Sequence, residues 1–251
     1  TEGKDYAEWN KTLWDSAVEE SSLIQNLKWR AGYLKKYLSS FTVYHFHDTS
    51  VSSPMRGDCN INDNEYLRDN GSNLAAFLYS MMQNDETNFR LIEGVVSSIA
   101  PYFKCFKLRP DVNDKERIRL EWEEKETDMY LNGYSFSDGT LRFIALATLL
   151  LQSKTPEVIV IDEPELGLHP AAINKFAELV KRASNKSQII LSTQSTNLVN
   201  CFDVKDIIVV DRIESQSVFR HLSEEDLATW MDEYDLSISD LWEKNMIGGQ
   251  L

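Results

Sequence analysis

Residues 158–170, reading Val-Ile-Val-Ile-Asp-Glu-Pro-Glu-Leu-Gly-Leu-His-Pro, constrain this chain more than any other stretch. Four consecutive β-branched apolar residues predict a strand buried on both faces, as in the middle of a parallel sheet. The run then turns abruptly acidic. In open α/β sheets the C-terminal edge of such a strand is where ligands are held. Two adjacent carboxylates repel each other there and need a reason to coexist. A bland reading has Asp162 capping whatever follows. The sharper one has a Mg²⁺ ion beside Asp162 and a water facing Glu163.

The segments on either side favour the sharper reading. Phe136-Ser137-Asp138-Gly139-Thr140-Leu141-Arg142 opens a strongly apolar helix that runs to Leu151. Ser137 is a good N-cap, and Gly139 permits another molecule to approach the first turn. A helix start of this kind can hold an anion through its free N–H groups and its dipole. Ser-Asp-Gly also caps many ordinary helices, so the order of segments matters more than the cap. One helix and a short loop separate Asp138 from Asp162. Beyond Pro170, Ala171–Ala183 reads as an amphipathic helix. Gln188–Leu191 reads as the next buried strand, ending in Ser192-Thr193-Gln194-Ser195. A strand at Asp206–Val210 is expected to complete an alternating strand–helix series.

This order resembles the ABC-type ATPases of the SMC and RecF kind. The resemblance implies the α/β fold of a P-loop NTPase, specifically its C-terminal lobe, with a mainly parallel sheet flanked by helices plus helical and β-meander insertions. It makes residues 158–163 the Walker B segment, with Asp162 supporting Mg²⁺ and Glu163 orienting or activating the attacking water. Ser137, Asp138, Gly139 and Thr140 take the place of the signature sequence and would serve ATP held by another subunit. Gly167-Leu168-His169-Pro170 takes the place of the D-loop, so that His169 faces a partner's nucleotide. At the switch position most relatives carry His, and this chain has Gln194, which can hydrogen-bond a phosphate oxygen but carries no charge. The implied cofactors are ATP and Mg²⁺. The implied partners are a second copy in a nucleotide-sandwich homodimer, and DNA or a DNA-processing protein. Tyr44-His45-Phe46-His47-Asp48-Thr49-Ser50 and the tail from Leu241 resemble bacterial predicted ATPases of the RecF-like AAA class, so the resemblance covers most of residues 40–251. On that resemblance the C-terminus is expected to be the natural one.

The phosphate-gripping half is not in the sequence. No Gly-x-x-x-x-Gly-Lys-Ser/Thr occurs, and the one Gly-Lys, Gly3-Lys4, is followed by Asp with no room for the loop upstream. A P-loop supplies the backbone cradle, the phosphate-binding Lys and a Mg²⁺ hydroxyl. The chain is therefore expected to be the C-terminal part of a longer ATPase whose Walker A lobe lies elsewhere, inactive by itself. Its domains would be a helical segment over 1–40 and the ATPase part over 41–251. The alternative is a non-catalytic interaction module of the same fold. A nuclease-linked assembly is a weaker reading, since some relatives carry a nuclease domain.

Composition bounds the remainder. With 251 residues, 42% hydrophobic and 26% charged, the chain can bury a sizeable core and is not of disordered composition. A net charge of −14 counts against a surface that is basic all over, so nucleic acid would need a local patch or a partner. The acidic stretch between Glu214 and Glu243 reads as a solvated face. No apolar run approaches membrane-spanning length and no signal-peptide pattern is present, so a cytoplasmic place without membrane contact is expected. Cys59, Cys105 and Cys201 have no metal-ligand spacing and fit a reducing compartment.

Elsewhere, residues 12–38 show helical spacing, with a basic end at Lys28, Arg30, Lys35 and Lys36 that reads as a solvated face. Phe41–His47 alternates as a strand, placing His45 and His47 on one face; no third ligand has recognisable spacing, so a zinc site is not expected. Thr49–Asp63 reads as a loop. Asp69-Asn70-Gly71 predicts a turn, with Ser72 or Asn73 capping a helix over Leu74–Met82. A second helix is expected over Glu86–Ala100. Two strands at Cys105–Leu108 and Ile118–Trp122 suggest a meander. Val218–His221 reads as the start of the tail. A helix from the acidic stretch after Ser223 and a short one over Ser239–Asn245 follow it.

Overall fold

The computed structural model describes residues 41–249 apart from 128, 224–226 and 228–235. The helices expected over 12–38, with the proposed segment 1–40, and most of the helix after Ser223 lie outside the described residues.

The apolar run becomes β7 (Val158–Asp162), paired on both sides in parallel. On one side β1 (Thr42–Tyr44) lies in register with Ile159–Ile161, and on the other β8 (Gln188–Ser192) matches Val158–Asp162 residue for residue. Burial follows, with Ile159 and Ile161 almost wholly removed from solvent. The strand read over Phe41–His47 is shorter than expected because Tyr44 is the last residue with a ladder partner.

Four helices make up much of the covering layer. α2 (Glu86–Ile99) and α4 (Pro170–Ala183) both pack against α3 (Asp138–Leu151), and α1 (Leu74–Asn84) packs on α2. α3 is apolar nearly all round and is buried from Thr140 to Leu151, the mark of a helix enclosed by the core rather than lying on it. α4 is amphipathic, burying Ile173, Phe176, Leu179 and Val180 and carrying Lys181 and Arg182 in its last turn, where cations complement the helix dipole.

Several expectations need correction. Asn73 sits at the start of α1 but does not cap it. Its Oδ1 accepts from the Arg68 N–H and its Nδ2 donates to the carbonyls of Asp63 and Tyr66, which pins the preceding loop instead. The turn at Gly71 is as expected, with φ +69°, and a Cβ there would strike the Met55 side chain at 2.7 Å. The loop over 49–63 contains a short strand, β2 (Cys59–Asn60), which pairs with β4 (Arg117–Ile118). The meander has three strands, β3 (Phe103–Phe106), β5 (Glu121–Glu124) and β6 (Tyr130–Asn132), in the order β3-β5-β6. β6 has only three residues, too short for alternation to reveal it. An aromatic cluster joins this meander to the start of α3: Trp122 stacks on Phe136 with ring centroids 4.5 Å apart, and Phe103 meets Phe106 at 4.7 Å.

Two further differences concern the sheet. β8 was expected to be buried, yet Gln188, Ile190 and Ser192 are exposed. Among the described strands it pairs only with β7, which leaves its far edge without a strand partner. The strand expected at Asp206–Val210 does not extend the parallel sheet. It forms as β9 (Ile208–Ile213) in an antiparallel hairpin with β10 (Gln216–His221), stacked on a small separate core with Leu222, Leu227, Ile238, Leu241 and Ile247. After β8 the chain passes through a short helical turn, α5 (Thr196–Val199), and a 3-10 turn (Val204–Asp206) before β9, and β9 pairs with β10 rather than with the parallel sheet. α6 (Ile238–Glu243) closes the tail with a capping box between Ser237 and Asp240 and is tied to α5 through Asn200 and Ser239.

Candidate functional site

The C-terminal ends of β1, β7 and β8 come together at one edge of the sheet. Asp162 ends β7 half-buried, and its Oδ1 accepts a short hydrogen bond from the Ser192 hydroxyl at the end of β8. Glu163 follows, its backbone N–H donating to the Ser192 carbonyl at 2.9 Å. Its φ of +39° lies in the left-handed region, which costs a non-glycine residue about 1–3 kcal/mol. Strain of this kind persists where surrounding contacts over-determine it, and it aims the Glu163 side chain away from the path a strand would give it.

Glu165 was not singled out from the sequence, yet it is tied into the same edge. Its Oε1 accepts from Thr193 Oγ1 at 2.6 Å, while its Oε2 is buried without a hydrogen-bond partner. A buried carboxylate oxygen left unpaired is expensive and marks a position where a donor or cation would be stabilised. Gln194 is exposed, in the turn between β8 and α5. His169 caps α4, its Nδ1 accepting from the Ala171 N–H at 3.2 Å.

Across from β7, the segment after β1 contributes His45 and His47. His47 Nε2 donates to the Asp162 carbonyl at 2.7 Å. One ligand atom from each of His45, His47 and Asp162 lies within 4.8 Å of the others. The sequence lacks a third ligand at recognisable spacing only because the third donor is 115 residues further on. Parallel pairing brings it there: Tyr44 is opposite Ile161, so the two histidines and Asp162 leave the sheet side by side.

The signature residues sit on a different neighbour. Ser137 Oγ accepts from the Thr140 N–H at 3.1 Å, capping α3 as expected, and lies 2.8 Å from Thr140 Oγ1. Asp138 pairs with Arg56 at 2.6 Å. A Cβ on Gly139 would fall 2.4 Å from the Gly167 carbonyl oxygen, so the close approach that glycine permits is already occupied by the turn after β7. That turn has Gly167 at φ +75°. The start of α3 and the Gly167 turn are thus one packed unit.

Two buried arginines, invisible to motif reading, hold this unit to the segment after β1. Arg142, 4% exposed, donates from Nε to the Phe46 carbonyl and from one terminal nitrogen to the His47 carbonyl, both at 2.8 Å. Burial lowers its pKa, partly offset by Asp138 and Glu165. Arg56, 5% exposed, donates to the carbonyls of Thr49, Gly133 and Phe136 as well as to Asp138. Arg142 is turned to backbone carbonyls, and Arg56 to backbone carbonyls and the Asp138 carboxylate. Arg142 alone carried a sequence signal, its position: an Arg inside an apolar helix must be paired if the helix is buried.

The oxygen donors at the β7 end suit a hard divalent cation such as Mg²⁺. Among the described residues this edge has no P-loop, and the motif does not occur in the 251 residues. No described helix is long and apolar enough to cross a membrane.

Residues 33–200 match the family model described as an AAA domain, putative AbiEii toxin of a type IV toxin–antitoxin system. The Old nuclease of Escherichia phage P2 is 31% identical over 111 residues, 39% of this chain and 19% of that protein. The energy-coupling factor transporter ATP-binding protein EcfA2 of Staphylococcus aureus is 26% identical over 136 residues, 51% of this chain and 46% of that protein. A solved SMC ATPase, from work on ATP-driven dimerization and DNA-stimulated activation, is 20% identical with a TM-score of 0.47, covering 63% of this chain and 98% of that one. The chain spans less than half the length of the curated relatives it matches. With two-thirds of its residues inside the family model and a parallel sheet bearing the acidic segment at its C-terminal edge, the chain belongs to this AAA-domain family.

Proposed function

We propose that this chain supplies the water-side half of an ATP-hydrolysing site, together with the surface that serves a second site across a homodimer. The observation that carries the reading is the meeting of Asp162, Glu163, Ser192 and Thr193 at one sheet edge, on strands that a helix separates in sequence. Asp162 is the carboxylate for Mg²⁺, positioned by the Ser192 hydroxyl. When bound, that ion would draw charge from the phosphates at bond cleavage. Glu163 is the base or orienter of water, its direction set by its left-handed backbone and its N–H bond to Ser192. Gln194, exposed beside them, offers its amide to a phosphate oxygen.

The complementary phosphate-binding lobe, with its P-loop, is proposed to lie in sequence beyond these 251 residues and to add to the unpaired edge of β8. Ser137 to Thr140 at the start of α3, with His169 beyond the Gly167 turn, form the face proposed to meet nucleotide held by a second copy. Closure of such a dimer would be the mechanical event, and DNA or a DNA-processing protein its target. The P2 Old nuclease similarity supports that target by analogy only.

The test uses the longer protein carrying a P-loop. Glu163→Gln is expected to retain Mg-ATP binding and to accumulate dimer, with turnover reduced by about a hundredfold or more, the scale of losing a general base. Turnover within a few-fold of the parent removes Glu163 from the chemistry. Ser137→Arg is expected to keep monomer nucleotide affinity and abolish the dimer. Loss of monomer affinity in that variant overturns the two-copy arrangement.

A further inference from the structure

We propose that His45, His47 and Asp162 form a transition-metal site, one that takes Zn²⁺ or Co²⁺ in preference to Mg²⁺. The three side chains leave adjacent parallel strands at one edge, and one ligand atom of each lies within 4.8 Å of the others. The imidazoles meet edge-on, with ring centroids 5.9 Å apart and planes at 74°, so they converge rather than stack. A four-coordinate ion with bonds of about 2.1 Å needs its donors roughly 3.4 Å apart. The donors therefore have to draw together by about 1 Å on binding, a movement proposed for the exposed His45 ring.

The surroundings resemble those of metal ligands. Metal-bound histidines characteristically donate their other ring N–H to a carbonyl, and metal-bound carboxylates accept hydrogen bonds. His47 donates from Nε2 to the Asp162 carbonyl, which leaves Nδ1 with the lone pair. Asp162 accepts from Ser192 at one oxygen and keeps the other for an ion. Phe46, between the two histidines, is buried, and Arg142 holds the carbonyls of Phe46 and His47, so the backbone carrying both rings is fixed from behind. Three protein ligands leave one position open, as in sites where the ion meets water or a substrate oxygen. Two imidazoles with one carboxylate favour borderline transition metals, whereas Mg²⁺ prefers an all-oxygen shell.

The site shares Asp162 with the nucleotide reading and nothing else, and its test uses the 251-residue chain with metal alone. Failure of nucleotide binding therefore leaves it standing, and its own failure leaves the ATPase reading standing. Calorimetric titration with ZnCl₂ is expected to show one equivalent bound at about micromolar or tighter, at least about a hundredfold more tightly than MgCl₂. His45→Gln and His47→Gln should each weaken Zn²⁺ at least about tenfold, while His221→Gln, on β10, should not. Titration with Co²⁺ should produce visible absorption without the near-ultraviolet charge-transfer band of a thiolate ligand. His45 is exposed, so its replacement tests the site without disturbing the fold, which circular dichroism checks. Zn²⁺ affinity unchanged in His45→Gln, thiolate absorption from a cysteine, or Mg²⁺ binding as tightly as Zn²⁺ each overturns the proposal.

Discussion

Gly139, in the first turn of α3, faces the carbonyl oxygen of Gly167 so closely that a Cβ would stand 2.4 Å from it. That neighbour is backbone, held in a turn by the Leu168 N–H bond to Glu165 and by its own left-handed φ, and it cannot swing aside as a side chain would. Gly139→Ala is expected to destabilise the chain by about 1–3 kcal/mol, the cost of forcing an extra methyl into a packed contact. A urea midpoint equal to the parent's would show that the two turns are not packed as described.

Arg142 is the link between α3 and the two histidines. Arg142→Met keeps much of the buried stem but leaves the Phe46 and His47 carbonyls without their donors. A loss of about 2–4 kcal/mol is expected, since unpaired buried acceptors carry a desolvation cost of about 1–3 kcal/mol each. Arg142→Lys retains the charge but not the fork that reaches two carbonyls, and should recover less than half of that loss. Denaturant unfolding of the three proteins measures it. Equal stability of the Lys variant and the parent would assign Arg142 a charge role instead.

Glu123 lies under Lys104 and Lys107, whose ammonium groups hydrogen-bond its carboxylate and hold its pKa down to about 2 from an ordinary 4.5. Because the folded pKa is depressed, the stabilisation is present above pH 4.5 and is lost as pH falls toward 2. Glu123→Gln should therefore melt below the parent at pH 7, with the difference shrinking between pH 4.5 and 2. A difference that is constant across this range would remove the ion pairs as its cause.

The 251-residue chain alone should bind Mg-ATP more weakly than about millimolar, some 4 kcal/mol short of a micromolar site, and should not hydrolyse it. Its carboxylates at the β7 end repel a polyanion, its buried arginines are turned inward, and a net charge of −14 adds to the repulsion. Micromolar binding in a calorimetric titration would place a complete nucleotide site within this chain.

What was legible in the sequence was local. The β-branched run of Val158–Ile161 reads as a buried strand, Ser137 could be recognised as a helix cap, and the amphipathic spacing of residues 171–183 determined a helix and its buried face. Those properties depend on residues a few positions apart, which is the range over which backbone geometry and period act. Pairings between distant segments were left to the tertiary structure. Parallel register set His45 and His47 beside Asp162. Packing filled the space at Gly139 with the Gly167 carbonyl, and the buried guanidinium groups of Arg56 and Arg142 found backbone acceptors far away in sequence. The same logic explains the misplaced β9, whose composition suits a strand in any sheet. Pairing with β10, the strand that follows it directly, placed it in an antiparallel hairpin instead of the parallel sheet.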